Sequence, residues 1–232
     1  MATFRSLVDS AVSVIDDPDW DDERVLDTMN QGLLEIAGGG VHLQDGSRLH
    51  VPPLPDLYTS ATVATTVTAV ADLPVAYQRG LFFVTDASKQ PVEIVKSLQK
   101  LLVNYPALDE AGAVKYCTVK GKKLIYQPIP AATTNLTVHF YQLPTTVLYK
   151  NIETATPDGL PDHLQHPLLF NYAVAKAHDS FEDSVEGGRP NSQYYWRQFL
   201  IAVESLIAAI GPEDGLPELI QDTADFIGYF DD

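Results

Sequence analysis

Apolar residues recur at helical spacing near both ends of the chain and alternate through the middle. Phe4, Leu7, Val8, Ala11, Val14 and Ile15 share one helical face. Asp16-Asp17-Pro18 ends that helix, because proline disfavours the α conformation in the residue before it. The acidic run Asp19, Asp21, Asp22 and Glu23 opens a second helix, whose apolar face is Leu26, Met29, Leu33 and Ile36. Carboxylates in a first turn meet the positive end of the helix dipole. Gly38-Gly39-Gly40 stops this helix and reads as the start of a mobile loop.

From about residue 48 to 149 the pattern changes. Val51-Pro-Pro-Leu-Pro55 is extended, and residues 58–70 are rich in Thr and Val, which fit a pleated surface. Residues 81–84, 113–119, 123–126 and 136–141 read as strands, with Lys120-Gly121-Lys122 as a hairpin turn. Leu136, Val138 and Phe140 alternate with Thr137, His139 and Tyr141, so one face of that strand is buried. A short helix is expected over residues 94–103, and Pro128, Pro130 and Pro144 punctuate the strand ends.

A linker over residues 151–161 leads to a second helical block. Leu164, Leu168, Leu169, Tyr172, Ala173 and Lys176 keep helical spacing, Gly187-Gly188-Arg189-Pro190 breaks it, and Tyr195, Phe199, Ala202, Val203, Leu206 and Ile210 resume it. The two helices are expected to pair as an antiparallel hairpin. The spacing sends Tyr195 into the core with Phe199 and leaves Trp196 exposed. Gly211-Pro212 ends the second helix, and residues 213–232 are acidic yet carry Leu216, Leu219, Ile220, Phe226, Ile227, Tyr229 and Phe230.

The expected fold is therefore α+β: a helical bundle built from the N- and C-terminal segments, with a central β-rich insertion. The expected division is residues 1–40 (N-terminal bundle helices), 41–150 (β-rich region), 151–212 (C-terminal helical hairpin) and 213–232 (a C-terminal docking tail).

Composition adds a charge constraint. Among 232 residues, 31 are Asp or Glu and 15 are Lys or Arg, a formal net charge of -16. Such a surface repels phosphate, which argues against gripping nucleic acid and suits a wall past which DNA slides. The single cysteine, Cys117, cannot form a disulfide within the chain. Residues 1–17 hold one Arg and no long apolar run, unlike a signal peptide. The apolar stretch 199–210 is broken by Glu204 and Ser205 and is too short to span a bilayer, so no membrane association is expected.

Candidate chemistry is sparse. The carboxylates of residues 16–23 could supply oxygen ligands to calcium, but they lack the glycine and distal Glu of an EF-hand loop. An inter-helix turn with an acidic first turn explains them more plainly. His163, His166 and His178 lie near Asp162, Asp179 and Glu182, without an HExxH or a Cys pair, so exposed helical histidines are the simpler reading than zinc ligands. No Gly-x-Ser-x-Gly elbow or phosphate loop occurs. Lys115, Lys120, Lys122 and Lys123 concentrate around the hairpin; they could touch DNA or an acidic partner, but a solvated, aggregation-resistant hairpin is the simpler reading. The expectation is no catalytic site, no cofactor and no bound metal.

Several phrases, in order, carry a resemblance. Residues 20–30 (WDDERVLDTMN), Leu73-Pro74 followed by Tyr77 and Arg79, residues 116–130 (YCTVKGKKLIYQPIP) and residues 136–144 (LTVHFYQLP) form the first part of the series. Leu160-Pro161 with HPLLFNYAVAKAHDSFED and YYWRQFLIAV closes it. Together, over about residues 3–210, they resemble the head-to-tail adaptors, also called tail tube adaptors or gatekeepers, of short-tailed and related phages. The chain departs from the pattern in its Gly-rich loop and its acidic C-terminal extension.

The resemblance implies a helix-bundle virion protein with a β insertion. It would be made in the host cytoplasm and assembled in the neck as a homo-oligomeric ring, usually of about twelve copies. Its partners would be the portal protein and the tail nozzle protein, and genomic DNA would pass during ejection without specific binding. The apolar tail residues Leu219, Ile220, Phe226, Tyr229 and Phe230 are expected to dock on the portal. A nozzle or terminator ring, or a bacterial ligand-binding domain or enzyme, stands as the alternative.

Overall fold

The computed structural model describes residues 3–42, 48–182 and 190–211. It opens with α1 (Phe4–Ile15) and α2 (Asp22–Ala37). Thr3 caps α1 by accepting from the Ser6 amide, and Asp16 ends it in the left-handed region at φ 47°. Asp21 caps α2 by accepting from the Arg24 amide. Two N–H groups in the first turn of α1 have no partner within the helix. Phe4 donates to the Ala155 carbonyl (2.9 Å) and Arg5 to the Ile152 carbonyl (3.1 Å), which ties the helix to the linker more than a hundred residues away.

The closing helices are α4 (Asp162–Glu182) and α5 (Pro190–Ile210), separated from α2 by the β region and a short helix, α3 (Leu98–Asn104). Tyr172 meets Phe199, while Asp179 bonds Ser192 and Trp196, so α4 and α5 run antiparallel. Helix α4 packs on α1, α2 and α5. Leu7, Leu26, Leu33, Leu169 and Phe199 are buried in one core with Val147, Ile152 and Leu160. The expected bundle of N- and C-terminal helices is thus present.

Among the described residues the β region holds three sheets. β1 (Gly40–His42) pairs antiparallel with β2 (Arg48–His50). β3 (Tyr58–Ala64), β5 (Tyr77–Thr85) and β9 (Asn135–Gln142) form an antiparallel sheet ordered β3-β9-β5. β4 (Val70–Asp72), β6 (Glu93–Ile94), β7 (Tyr116–Lys120) and β8 (Lys123–Gln127) form a sheet ordered β4-β8-β7-β6, with β6 parallel to β7. The Gly121-Lys122 turn closes the β7–β8 hairpin, with Lys120 opposite Lys123.

The three- and four-stranded sheets pack face to face. Val63, Val84, Leu136, Val138 and Phe140 from one meet Ala71, Cys117, Leu124 and Tyr126 from the other. The far face of the four-stranded sheet is covered by α3, through Val95, Leu101 and Ile125. No described element covers the far face of the three-stranded sheet.

Four details differ from the sequence reading. Residues 58–70 divide at Thr65, whose amide and hydroxyl both reach the Thr134 carbonyl, so β3 and β4 belong to different sheets. The expected helix at 94–103 starts at Leu98 under a Ser97 cap, after β6. Gly40 enters strand β1 rather than a loop. Trp196 is buried, and Tyr194 is the exposed member of its trio.

Candidate functional site

Among the described residues, aromatic side chains gather on the uncovered face of the β3-β9-β5 sheet. In β3 the outward positions Tyr58, Ser60, Thr62 and Ala64 are exposed, while Val63 faces the core. In β9, Leu136, Val138 and Phe140 face inward, leaving Thr137, His139 and Tyr141 outward.

Strand β5 breaks the alternation. Arg79 pairs with Tyr141 and Phe83 with His139, so four steps along β5 match two along β9. This bulge begins at Gly80, whose φ of +68° strains any side-chain-bearing residue. Its consequence is that consecutive residues Phe82 and Phe83 share one face. Phe82 lies 6.3 Å and Phe83 5.5 Å from the His139 ring. Phe82 also meets Tyr58 (5.5 Å) and Tyr141 (5.6 Å), and the Tyr58 hydroxyl bonds His139 Nδ1 at 2.7 Å. Tyr58 and Phe83 remain 49% and 45% exposed, an apolar patch of the kind that marks a contact surface.

The patch is held against the helical bundle by buried polar joints. The Arg79 guanidinium donates to the Val51 carbonyl at 3.0 Å. It lies directly over Gly39, where a Cβ would fall inside it, and the Arg48 guanidinium lies over Gly40 in the same way. The triple glycine is therefore a seat for two arginines. Asn30 of α2 bonds both backbone groups of Val147, beyond β9. Gly159 lies against Leu57, next to the start of β3.

Away from this end, the Tyr126 hydroxyl accepts from the Thr66 amide (2.6 Å) and donates to the Thr68 carbonyl (2.8 Å). That fixes a loop tip on which Val67 stands 87% exposed. A shallow groove of about 480 Å³ is lined by small residues such as Ala113, Ala131 and Ala132. Its carboxylate, Asp86, already accepts from the Ser88 and Gln90 amides, so convergent chemistry is lacking there. On α5, Tyr194 and Ile201 are exposed seven residues apart on the outer side.

The candidates from sequence take up structural roles. Asp17 accepts from the Asp19 amide, Asp21 caps α2, and Asp22 accepts from Arg5 at 2.7 Å. That hydrogen bond and the charges of Asp22 and Asp9 hold the Arg5 pKa above its usual value, against a smaller opposing effect of desolvation. His166 stacks on Phe170 (4.7 Å) and His178 on Tyr195 (5.6 Å). Among the described residues no group of three or more His, Cys, Asp or Glu is placed to hold a metal ion. No described helix is long and apolar enough to cross a membrane. Lys123 pairs with Asp72 across β4 and β8. Leu219, Ile220, Phe226, Tyr229 and Phe230 lie outside the described residues.

The aromatic face was missed by the sequence reading. Its available signals were the adjacent phenylalanines and the glycine two residues before them. The profile of one family, described as SU10 adaptor protein, matches residues 2–219 of the chain. No curated protein matches it.

Proposed function

The chain belongs to the SU10 adaptor protein family, a family of phage structural proteins, and from this premise we propose that it is the head-to-tail adaptor of its virion and has no catalytic role. Copies form a ring, about twelve in number, that joins the portal to the tail nozzle and lines the channel crossed by DNA. The family match across nearly the whole chain carries this assignment. The geometry supports it. A helical bundle and a β sandwich, each with its own core, are locked by buried hydrogen bonds, as suits a rigid spacer rather than an enzyme that closes on a substrate.

The net charge of -16 fits a channel wall that passes DNA without adhering to it. The helices of residues 1–40 and 151–212 form the bundle that faces one partner, the β sandwich within residues 41–150 projects from it, and residues 213–232 dock on the portal. In that tail, Leu219, Ile220, Phe226, Tyr229 and Phe230 are the anchors, because acidic residues alone would leave a solvated segment without any need for them.

The test is assembly on purified portal rings, read by mass measurement and by cryo-EM of the neck. A ring of this chain against the portal is expected. Location at the distal tail instead would make it a nozzle or terminator. For the tail, a chain truncated after Pro212 is expected to remain folded and to lose portal joining; unimpaired joining would sink the docking assignment.

A further inference from the structure

We propose that the open edge of β3, together with the aromatic face beside it, is the seam through which one copy of this chain pairs with the next; this rests on the ring assignment above. β3 is seven residues long and pairs in unbroken register with β9 alone. On its other flank the backbone of residues 58–64 has no strand partner among the described residues.

Natural sheets protect such edges with charge, proline, bulges or short length. The other edges in the β sandwich all show one of these devices. β5 is bulged in its first half, and Val92 covers it near Val84 with an N–H···O bond of 2.8 Å. β4 has three residues and carries the Asp72–Lys123 pair. β6 has two residues. The sequence of β3, YTSATVA, has no charge and no proline. It is a template for strand addition.

The occupant follows from charge and number. Copies of a chain with net charge -16 repel one another over most of their surface. The outward positions of this sheet hold no Asp or Glu: Tyr58, Ser60, Thr62 and Ala64 on β3, and Thr137, His139 and Tyr141 on β9. Like-charged copies can meet there without opposing carboxylates. Nucleic acid is disfavoured, because Arg79 is committed to Val51 and little other positive charge lies on the face. A second copy also covers every edge once a ring closes, since a head-to-tail contact uses two different surfaces and repeats around the ring. The incoming strand would run beside β3 and lay alternate side chains beside Tyr58, Ser60 and Thr62.

The experiment uses the full-length chain with a photo-crosslinking benzoylphenylalanine in place of Thr62, assembled on portal rings from a mixture of heavy-nitrogen-labelled and unlabelled copies. Crosslinks joining a heavy to a light chain are expected. The pair Ser60→Lys and Thr62→Lys, at exposed positions, should keep the native melt and circular dichroism while weakening ring formation about tenfold or more. If a ring forms but position 62 crosslinks only to the portal, to another tail protein or within one chain, or does not crosslink, the seam is elsewhere and the ring assignment stands. If no ring forms on the portal, the ring assignment fails. Heavy–light crosslinks in the concentrated chain then decide the edge separately: their presence keeps the contact and their absence overturns it.

Discussion

Asn30 and Val147, 117 residues apart, form a closed pair of hydrogen bonds in the buried interior. The Asn30 amide nitrogen donates to the Val147 carbonyl at 2.9 Å, and the Val147 N–H donates to Asn30 Oδ1 at 3.0 Å. The side chain therefore acts on Val147 as a neighbouring strand would. It fixes the segment leaving β9 against α2, and so sets how the β region sits on the bundle. Substitution Asn30→Ala strands one buried donor and one buried acceptor, with an expected cost of about 2–3 kcal/mol in denaturant unfolding. Asn30→Asp keeps one acceptor and loses the donor, and should fall between. Equal stability of all three proteins would show that the joint contributes nothing.

Gly32 and Tyr172 define a second tight joint, between α2 and α4. A Cβ at position 32 would sit 2.7 Å from Tyr172 Cδ1, and the ring is fully buried, with its hydroxyl donating to Glu35 at 3.0 Å. In an exposed helix Gly→Ala gains about 1 kcal/mol. Here the overpacking reverses the sign, and Gly32→Ala should destabilise by about 1–3 kcal/mol. The check is a double-mutant cycle with Tyr172→Leu. In that background Gly32→Ala should cost at least about 1 kcal/mol less. Additive effects would mean that the clash is relieved elsewhere.

These joints mark the limit of what the sequence tells directly. The helices were legible because one apolar stripe repeats through Phe4, Leu7, Val8 and Ala11, and because Asp21 and Pro18 punctuate them. β9 was legible from its strict alternation. Partners distant in sequence carried no such signal: nothing local to Asn30 points to Val147, nor does anything near Gly39 point to Arg79. Trp196 went wrong because periodicity places a residue on a face but cannot see a buried acceptor. Its indole N–H donates to Asp179 at 2.9 Å, which lets the largest ring turn inward and leaves Tyr194 at the surface. Phe82 and Phe83 were read only as part of a strand over residues 81–84, and the bulge at Gly80 that puts both outside carries no local signal beyond the glycine itself. The tail residues proposed as anchors were chosen from composition alone and lie beyond the described fold.

Cys117 is predicted to be silent in the native protein. Its side chain is fully buried between the two sheets, and burial pushes the thiol up to about 12 from 9.0. The thiolate is the reactive form, so a disulfide reagent at mildly alkaline pH should react only after unfolding. Stability has a matching dependence. Below pH 9 the thiol is protonated in both states and its contribution is complete. As pH rises from 9 toward about 12 the unfolded chain ionises first, and stability is lost through that window. Other groups titrate there too, so the measurement is the difference between wild type and Cys117→Ala. A difference that stays constant from neutral pH to pH 11 would contradict the assignment.

A bulge at Gly80 builds the aromatic face. Gly80 has φ +68°, and a Cβ there would lie 2.9 Å from Tyr141 Cδ2. Two effects therefore act together against Gly80→Ala. The backbone conformation is disfavoured for a residue with a Cβ, at about 1–2 kcal/mol, and the Tyr141 ring must yield. The chain can relieve both by flattening the bulge, but regular alternation would then drive one of Phe82 and Phe83 toward the core occupied by Val84 and Phe140. The variant should thus lose about 1–3 kcal/mol of stability and show faster amide exchange along β5. The aromatic proton shifts of His139 and Tyr141 should move, because their neighbours at 5.5 and 5.6 Å are Phe83 and Phe82. Phe83→Ser is the control: its ring is 45% exposed, so stability should change little while the His139 shifts still move. If Gly80→Ala leaves both stability and these shifts unaltered, the bulge does not set the face.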